Sequence, residues 1–335
     1  MRPTIRSVRR PFAAVAAAAL LLAACNGDDD ATPDGGGDAG AAEDGGEGSI
    51  AQNYDLSGAS FHVGTKDFAE QYIIAQILVQ ALEAAGADVE YTQDLASPDG
   101  ARNALLAGEV DLAWEYTGTA WINYLGNDEP LDDPMEQYEA TAEQDLEENG
   151  VVWSEPAPFD NTYGFAMSRE AYEEYGLDTV SDLAAWVEEN PDQATLCADA
   201  TFPTRDDGLP RIEEVYDFQW PTDVIIGNMD FGVIYQSIAE RDPCEIGEIF
   251  TTDGRILALD LQVLEDDQNG FISYLSAVQM MEATADEYPE LLDLIAELGA
   301  PIDEELMTEM NAAVDVDGEF PEDVAEQYLR DQGFI

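Results

Sequence analysis

Positive charge is scarce in this chain, and the few cations are therefore candidates for chemistry. The sequence has 12 Lys and Arg residues against 73 Asp and Glu residues, and Lys66 is the only lysine. It follows Gly64 and Thr65 in a predicted turn. A chain that has discarded almost every lysine but kept this one points to a ligand contact at Lys66. An ordinary surface lysine is the alternative.

Three tyrosines are the next candidates because of where they stand relative to predicted strands. Tyr116 follows a strand directly, Tyr163 begins an extended segment, and Tyr235 lies within a predicted helix. A tyrosine ring offers both an apolar face and a polar hydroxyl. Each one alone is more often a core residue. The junction positions of Tyr116 and Tyr163 leave a binding site and a core position equally open.

Signatures of enzyme and metal chemistry do not occur in the sequence. His62 is the only histidine, and no Cys–His spacing of a zinc site is found. There is no nucleophile elbow and no phosphate loop. Carboxylates are so abundant that a catalytic pair cannot be told from solvated surface. We therefore predict a protein that is not an enzyme and needs no metal or cofactor.

The net charge of −61 restricts the partners and the surroundings. Such an acidic chain would be repelled by nucleic acid and by anionic lipid. Disorder is the usual interpretation of this charge, but dense apolar periodicity after residue 58 argues against it. We predict an acidic surface adapted to high salt, where screening reduces self-repulsion.

The first 25 residues predict export. A basic start precedes an apolar stretch over 12–24, which is too short to span a bilayer. Leu22-Ala23-Ala24-Cys25 resembles a bacterial lipobox, which implies lipidation of Cys25. The resemblance predicts a lipid-anchored protein on the extracytoplasmic face of the cell membrane. A plain secretory signal with an incidental cysteine is the alternative.

Residues 26–52 predict a flexible spacer, because Asn26 to Gly48 is almost entirely Gly, Asp, Ala and Glu.

Beyond the spacer, Cys197 and Cys244 remain as a pair in an oxidising compartment. We predict a disulfide between them, and two buried free thiols are the alternative.

Strand and helix patterns alternate along the rest of the chain. Strands are predicted at 60–64, 88–93 and 110–116, with helices between them, which favours a mostly parallel sheet. Ser181 is a predicted N-cap, and 276–332 is predicted to be helical. Two extended segments, 162–167 and 257–264, predict two α/β lobes joined by two hinge strands. A cleft between such lobes is the expected ligand site.

Seven motifs resemble one family in order and spacing over residues 58–335. The family is the glycine betaine/carnitine/choline-binding proteins of osmoprotectant ABC importers. The motifs are GTKDFAEQ (64–71), LLAGEVDLAWEYTGTA (105–120), FDNTYGFAM (159–167), FPTRDDGLP (202–210), TTDGRI (251–256), LEDD (264–267) and MNAAVDVDG (310–318). The resemblance implies a two-lobed periplasmic-binding-protein fold of type II.

The same resemblance implies a cage of tyrosine rings around a quaternary ammonium group. Tyr116, Tyr163 and Tyr235 match three cage positions. A quaternary ammonium has no N–H donor, so cation–π attraction, at about 0.5–2 kcal/mol per ring, is what holds it. Leu259 stands where the family has a fourth cage tyrosine. This departure predicts a weaker cage, or one that recruits another ring such as Trp121 or Tyr274.

The resemblance also implies polar ligand contacts and partners. Thr119, Lys66 and Gln71 match polar contacts, and Arg205 matches a carboxylate-binding arginine. The implied partners are a small ligand, an ABC permease and its ATPase, and we expect a monomer. The alternatives are a binder of another small solute, such as an amino acid or a different amine, and an enzyme of the same architecture. The expected domains are a signal peptide (1–25), a spacer (26–52), a first lobe (53–160 with 266–335) and a second lobe (161–265).

Overall fold

A computed structural model of the chain describes residues 48–93, 95, 100–127, 130–131, 133–205 and 208–335. The predicted signal peptide, Cys25 and spacer residues 26–47 lie outside the described residues. The strands of the described part are β1 (Ser60–Gly64), β2 (Asp88–Thr92), β3 (Leu112–Tyr116), β4 (Val151–Trp153), β5 (Tyr163–Ser168), β6 (Leu196–Cys197), β7 (Ile225–Ile226), β8 (Ile246–Phe250), β9 (Leu261–Val263) and β10 (Ser276–Met281).

Helices pack against both sheets and form most of the described residues outside the strands. They are α1 (Ser49–Asn53), α2 (Ala69–Ala84), α3 (Gly100–Ala107), α4 (Thr117–Thr119, continued by a π-turn at Ala120–Tyr124), α5 (Pro134–Asn149), α6 (Arg169–Tyr175), α7 (Val180–Glu189), α8 (Leu209–Val215), a 3₁₀ turn (Thr222–Val224), α9 (Phe231–Glu240), α10 (Arg255–Ala258), α11 (Glu282–Glu287), α12 (Glu290–Gly299), α13 (Glu304–Asp315) and α14 (Pro321–Asp331).

The strands form two five-stranded sheets, with the orders β2-β1-β3-β10-β4 and β7-β6-β8-β5-β9. We call the part built on the sheet with β1 the first lobe and the part built on the sheet with β5 the second lobe. Both sheets are mixed. β1 runs parallel to β2 and β3, whereas β10 runs antiparallel to β3 and β4. The chain leaves the first sheet after β4 and returns to it at β10 beside that exit, where Asp160 bridges Leu275, so β10 runs antiparallel to β4.

Two segments pass between the lobes, and they differ from the predicted hinge strands. The segment 154–162 joins β4 to β5, and the segment 264–275 joins β9 to β10. They run side by side: Asp160 bridges Leu275, and the Thr162 hydroxyl donates to the carbonyl of Ile272 over 2.5 Å. The predicted crossing at 257–264 is wrong as one extended segment, because its start is α10. An isolated pattern of eight residues cannot separate a helical turn followed by a short strand from one long strand.

Two further local predictions need correction. The start of the region predicted to be helical, Ser276–Met281, is β10, a largely buried strand between β3 and β4. A short uncharged run is compatible with a helix or a buried strand, and pairing with β3 decides it. The N-cap of α7 is Thr179 and not Ser181. The Thr179 hydroxyl accepts from the Asp182 amide, and the Asp182 carboxylate accepts from the Thr179 amide.

The core of the first lobe forms around α2. Ile73, Ile77 and Leu78 are fully buried, and α2 contacts β1, β3 and the C-terminal helices α13 and α14. A helix that is apolar on nearly every side is expected to be covered on every side. This packing fixes the N-terminus of α2, and therefore Glu70, at the carboxyl end of β3.

The folded chain includes residues that the sequence assigned to the spacer. Ser49–Asn53 form α1, and Ile50 is completely buried. The amides of Ser49 and Ile50 donate to the carbonyls of Gly333 and Phe334 over 3.0 and 3.2 Å. Burial of the Ile50 side chain and these two backbone hydrogen bonds dock the short segment onto the C-terminus. Among the described residues, no helix has the length and apolar character needed to span a bilayer.

A disulfide joins Cys197 and Cys244 within the second lobe, with their Cα atoms 5.6 Å apart. Both residues are completely buried. The bond ties the end of β6 to the loop before β8, 47 residues further along the chain. On the chain-entropy model, a closed loop of this size stabilises the fold by about 3–4 kcal/mol.

Candidate functional site

A cavity of about 800 Å³ opens between the two lobes, where β3 and β8 end. Of the predicted site residues, Lys66, Tyr116, Thr119, Tyr163 and Arg205 line it. The full lining is Lys66, Phe68, Ala69, Glu70, Tyr116, Gly118, Thr119, Ile122, Asn123, Asn161, Tyr163, Arg205, Phe250, Thr252, Asp253, Arg255, Tyr274, Asn311 and Asp315.

Tyr116 forms the first-lobe wall of the cavity. Its ring is almost buried and stacks on Phe68, with ring centroids 6.1 Å apart. Its hydroxyl donates to Glu70 over 2.6 Å. The Lys66 ammonium lies 5.3 Å from the ring centroid, within the range of cation–π attraction. The face of Tyr116 is therefore positioned to attract a cation.

Lys66 is engaged by a carboxylate of its own lobe. Its ammonium pairs with Glu115, whose side chain is 1% exposed. The backbone amide of Tyr116 and the hydroxyl of Tyr124 each donate to Glu115 over 2.8 Å. A buried carboxylate needs such partners. Neutralising Glu115 is therefore one reason for this chain to retain its single lysine, beside any ligand contact.

Tyr163 and Arg205 form a second pairing of a ring with a cation. Tyr163 starts β5, and the guanidinium carbon of Arg205 lies 5.0 Å from its ring centroid. The ring also lies 4.9 Å from Phe250 and 6.3 Å from Tyr274. Tyr274 comes from the linker 264–275, and it supplies a cavity ring that the sequence named only as a possible replacement. Aromatic rings of both lobes and of a linker thus converge on the cavity.

Tyr235 lies behind the cavity wall instead of on it. It is completely buried in α9, and its hydroxyl accepts from the Phe250 amide over 2.9 Å. The Arg255 guanidinium, which lines the cavity, covers its ring at 4.5 Å. Burial raises the pKa of Tyr235 well above its ordinary value. The sequence could not show that Arg255, twenty residues later, would cover the face of the Tyr235 ring.

Leu259 and Gln71 are also placed away from the cavity lining of the described chain. Leu259 ends α10 and packs against the apolar cluster around Ile238 and Ile256. Gln71 is fully buried in α2, facing the hydroxyl of Thr65. Both roles stay predictions from the resemblance. The structure brings five of the eight predicted residues together and leaves Gln71, Tyr235 and Leu259 outside.

Glu70 and Arg255 are among the charged cavity residues that were not singled out from the sequence. Glu70 accepts four hydrogen bonds at the cavity floor. Arg255 forms a two-pronged pair with Asp253, with one contact at 2.8 Å. Both lie inside motifs that carried the resemblance, so the motif positions were a usable signal. Composition alone, with 73 acidic residues, offers no means of recognising one buried glutamate.

Three carboxyl groups outside the cavity lining have raised pKa values, mainly because loss of solvation disfavours their charged form. The pKa is about 6 for Asp160, about 7 for Glu304 and about 8 for Glu248. Glu248 is completely buried, and one oxygen accepts from the Asp199 amide over 2.8 Å. These groups ionise in the unfolded chain at lower pH than in the folded chain.

We expect the free energy of unfolding to fall as pH rises from about 4 to about 8. In this interval the folded chain binds more protons than the unfolded chain. The stabilisation is therefore complete below the pKa values of the unfolded chain and is lost as the pH rises through the pKa values of the folded chain. Urea unfolding at fixed high salt measures this slope. Glu248→Gln should flatten it between pH 5 and 8, whereas the exposed Glu319→Gln should not. An unchanged slope in Glu248→Gln would contradict the assignment.

The family of this chain follows from its match to known proteins. A family model for the substrate-binding domain of ABC-type glycine betaine transport systems matches residues 59–331. This chain belongs to that family. It is therefore a substrate-binding protein of an ABC transport system and not an enzyme, as the sequence predicted. The predicted type II periplasmic-binding-protein fold is confirmed as well.

Similar proteins agree with the family. The glycine-betaine-binding protein of Pseudomonas aeruginosa is 36% identical over 281 residues, covering 82% of this chain and 89% of that one. The ergothioneine transport permease/ergothioneine binding protein EgtU of Helicobacter pylori is 32% identical over 274 residues; these cover 81% of this chain but 47% of EgtU. The structure of apo YehZ from Escherichia coli superposes with a TM-score of 0.74 at 28% identity, covering 82% of this chain and 99% of YehZ.

Proposed function

We propose that the cavity binds a zwitterionic quaternary ammonium compound, with glycine betaine as the first candidate, for delivery to an ABC permease. The observation that carries this proposal is the convergence of Tyr116, Tyr163 and Tyr274 with Arg205 on one cavity. Aromatic faces hold a group that has no N–H donors. A guanidinium supplies the two-pronged partner that a carboxylate needs.

The cations already beside the rings favour a zwitterion over choline. Lys66 lies over Tyr116, and Arg205 lies over Tyr163, at 5.3 and 5.0 Å. A ligand carboxylate would draw these cations towards itself and free the ring faces for the ligand ammonium. Choline has no carboxylate and would compete with both cations without that compensation. We therefore place glycine betaine before choline.

The proposed mechanism is a closing trap. Tyr116, Thr119 and Lys66 belong to the first lobe, Arg205 belongs to the second lobe, and Tyr163 stands where the linker enters it. A ligand that touches both lobes favours their closed arrangement, because differential contact shifts the population. The closed form would then dock on the permease, and the ATPase would supply the energy for import.

Several further features of the protein are proposed from its sequence. Lipidation of Cys25 would anchor the chain on the extracytoplasmic face of the membrane, and the acidic spacer would hold the folded part away from it. A monomer is sufficient, since the described chain supplies both walls of the cavity. The charge of −61 supports a protein that works in high salt.

A different small solute is the second candidate. The similarity to a protein named for ergothioneine binding supports it, and so does a cavity of about 800 Å³, which leaves room for a larger betaine. An amino acid such as proline would need N–H acceptors in the cavity, and carboxylates are present there. An enzyme on this fold is not supported, because the family consists of transport binding domains.

Calorimetry with glycine betaine, choline, carnitine, ergothioneine and proline tests the proposal. We expect glycine betaine to bind more tightly than choline. Arg205→Ala should weaken glycine betaine binding by about tenfold or more, because a charged hydrogen-bonded contact is lost, and should not weaken choline binding. Arg330→Ala, an exposed pair on α14, is the matched control. Equal losses for both ligands would assign Arg205 to the fold, and no heat with any quaternary amine would exclude this ligand class.

A further inference from the structure

The carboxylate of Glu70 accepts hydrogen bonds from four side chains at the cavity. One oxygen accepts from the Tyr116 hydroxyl over 2.6 Å and from the Asn161 amide over 2.9 Å. The other accepts from the Thr252 hydroxyl over 2.6 Å and from the Asn311 amide over 3.1 Å. Glu70 itself is 3% exposed. Each oxygen thus has two donors, which is the full capacity of an ionised carboxylate.

These donors come from different parts of the molecule. Tyr116 ends β3, and Asn311 lies on α13, so both belong to the first lobe with Glu70. Asn161 lies on the linker 154–162. Thr252 follows β8 and belongs to the second lobe. Glu70 is therefore a single charged group that both lobes share at the floor of the cavity.

A second contact at the same place shows how closely the lobes meet there. The Asn311 amide also donates to the carbonyl of Thr252 over 2.7 Å. Gly254 lies against the backbone of Ala312, so that a Cβ at Gly254 would stand 2.3 Å from the Ala312 nitrogen. The turn after β8 is thus docked onto α13 by backbone and side-chain contacts. Separation of the lobes at this point removes the Thr252 donor from Glu70.

The chemistry of Glu70 makes its donors important. A buried carboxylate is unfavourable unless donors replace its water, and its burial raises the pKa of Glu70 while the four donors oppose that rise. Hydrogen bonds to a charged acceptor are also stronger than neutral ones. The hydroxyl of Tyr116 is one of these donors, so the carboxylate sets the position of the ring that faces the cavity.

We propose that Glu70 is a positioning residue that fixes the Tyr116 ring on the cavity wall and ties the second lobe to the first through Thr252. Lobe closure and ring placement are then governed by one carboxylate. The role of the ring in ligand binding rests on the proposed function, whereas the tie between the lobes does not.

Hydrogen exchange of the full chain without ligand tests the tie. Thr252→Val keeps the shape of the side chain and removes its donor. We expect amide exchange in residues 249–256 and 308–316 to become at least about tenfold faster, because one charge-assisted hydrogen bond between the lobes is lost. Thr195→Val is the matched control, since the Thr195 hydroxyl bonds Glu245 within the second lobe. Equal exchange in Thr252→Val and the native chain would overturn the tie.

Glycine betaine affinity, measured by calorimetry, tests the positioning of Tyr116. Tyr116→Phe keeps the ring but removes its bond to Glu70, and Glu70→Gln replaces an acceptor oxygen by a donor that faces other donors. We expect each change to weaken binding by about fivefold to tenfold, and the double variant to be no weaker than Glu70→Gln alone. Losses that simply add would overturn the positioning role. If the native protein binds no quaternary amine, the proposed function fails. The hydrogen-exchange result still shows whether Thr252 and Glu70 hold the two lobes together.

Discussion

Gly254→Ala should weaken glycine betaine binding by about 5- to 150-fold, corresponding to an overpacking cost of about 1–3 kcal/mol. The new Cβ would lie 2.3 Å from the nitrogen and 2.4 Å from the Cα of Ala312, and backbone atoms cannot yield as a flexible side chain does. Gly254 has φ −60° and ψ −21°, so alanine suits its own backbone. The cost therefore falls on the docking of the second lobe onto α13, which the closed form requires.

Gly227→Ala is the matched control for this change. Gly227 lies in the same lobe, and a Cβ there would meet only ordinary contacts, 3.5 Å from the Asp199 carbonyl. Calorimetry measures the affinity, and urea unfolding measures the stability of both variants. A loss of stability in Gly254→Ala with unchanged affinity would show that this contact persists in the open form. It would then belong to the fold and not to closure.

Arg102→Ala should lower the free energy of unfolding by about 3–5 kcal/mol, the cost of leaving a buried carboxylate unpaired. Arg102 on α3 is 4% exposed and forms a two-pronged pair with the fully buried Asp145 on α5, one contact measuring 2.8 Å. Asp145 also accepts from Trp153 and Asn149 over 2.9 and 2.8 Å. These two neutral donors cannot replace the charge of the guanidinium.

Urea unfolding at high salt measures this loss, and two further variants assign its cause. Arg330→Ala removes an exposed pair with Glu326, for which we expect a loss of no more than about 1 kcal/mol. Asp145→Asn in the Arg102→Ala background removes the unpaired charge and should restore part of the stability. If that double variant is no more stable than Arg102→Ala, lost packing is the cause and not the buried charge.

Both predictions concern residues whose importance the sequence did not reveal. Arg102 is one arginine among few, but nothing in its surroundings in the sequence identifies Asp145 as its partner. Gly254 was part of the TTDGRI motif, but its need for close backbone approach depends on α13, 58 residues further on. Long-range contacts of this kind follow from packing and leave no local pattern.

The sequence by itself predicted much of the architecture. Period-two apolar strands alternate with helices that end at Gly86, Gly108 and Gly150, all of which adopt positive φ. Each such signal is local: a few neighbouring residues set the backbone preference, and the preference survives in the fold. The motifs in order placed Tyr116, Tyr163 and Arg205, and all three line the cavity.

Only the tertiary structure decided how the cavity is completed. Ser276–Met281 became an inner strand of the first sheet because β3 and β4 pair with it, although its residues alone do not exclude a helix. The Arg255 guanidinium covers the ring of Tyr235, and Tyr274, which lies in the linker 264–275, lines the cavity. The sequence therefore determined which elements form and which rings and cations could serve a site. The assembly of two lobes decided which of them meet, because burial and pairing over long sequence distances are properties of the folded chain.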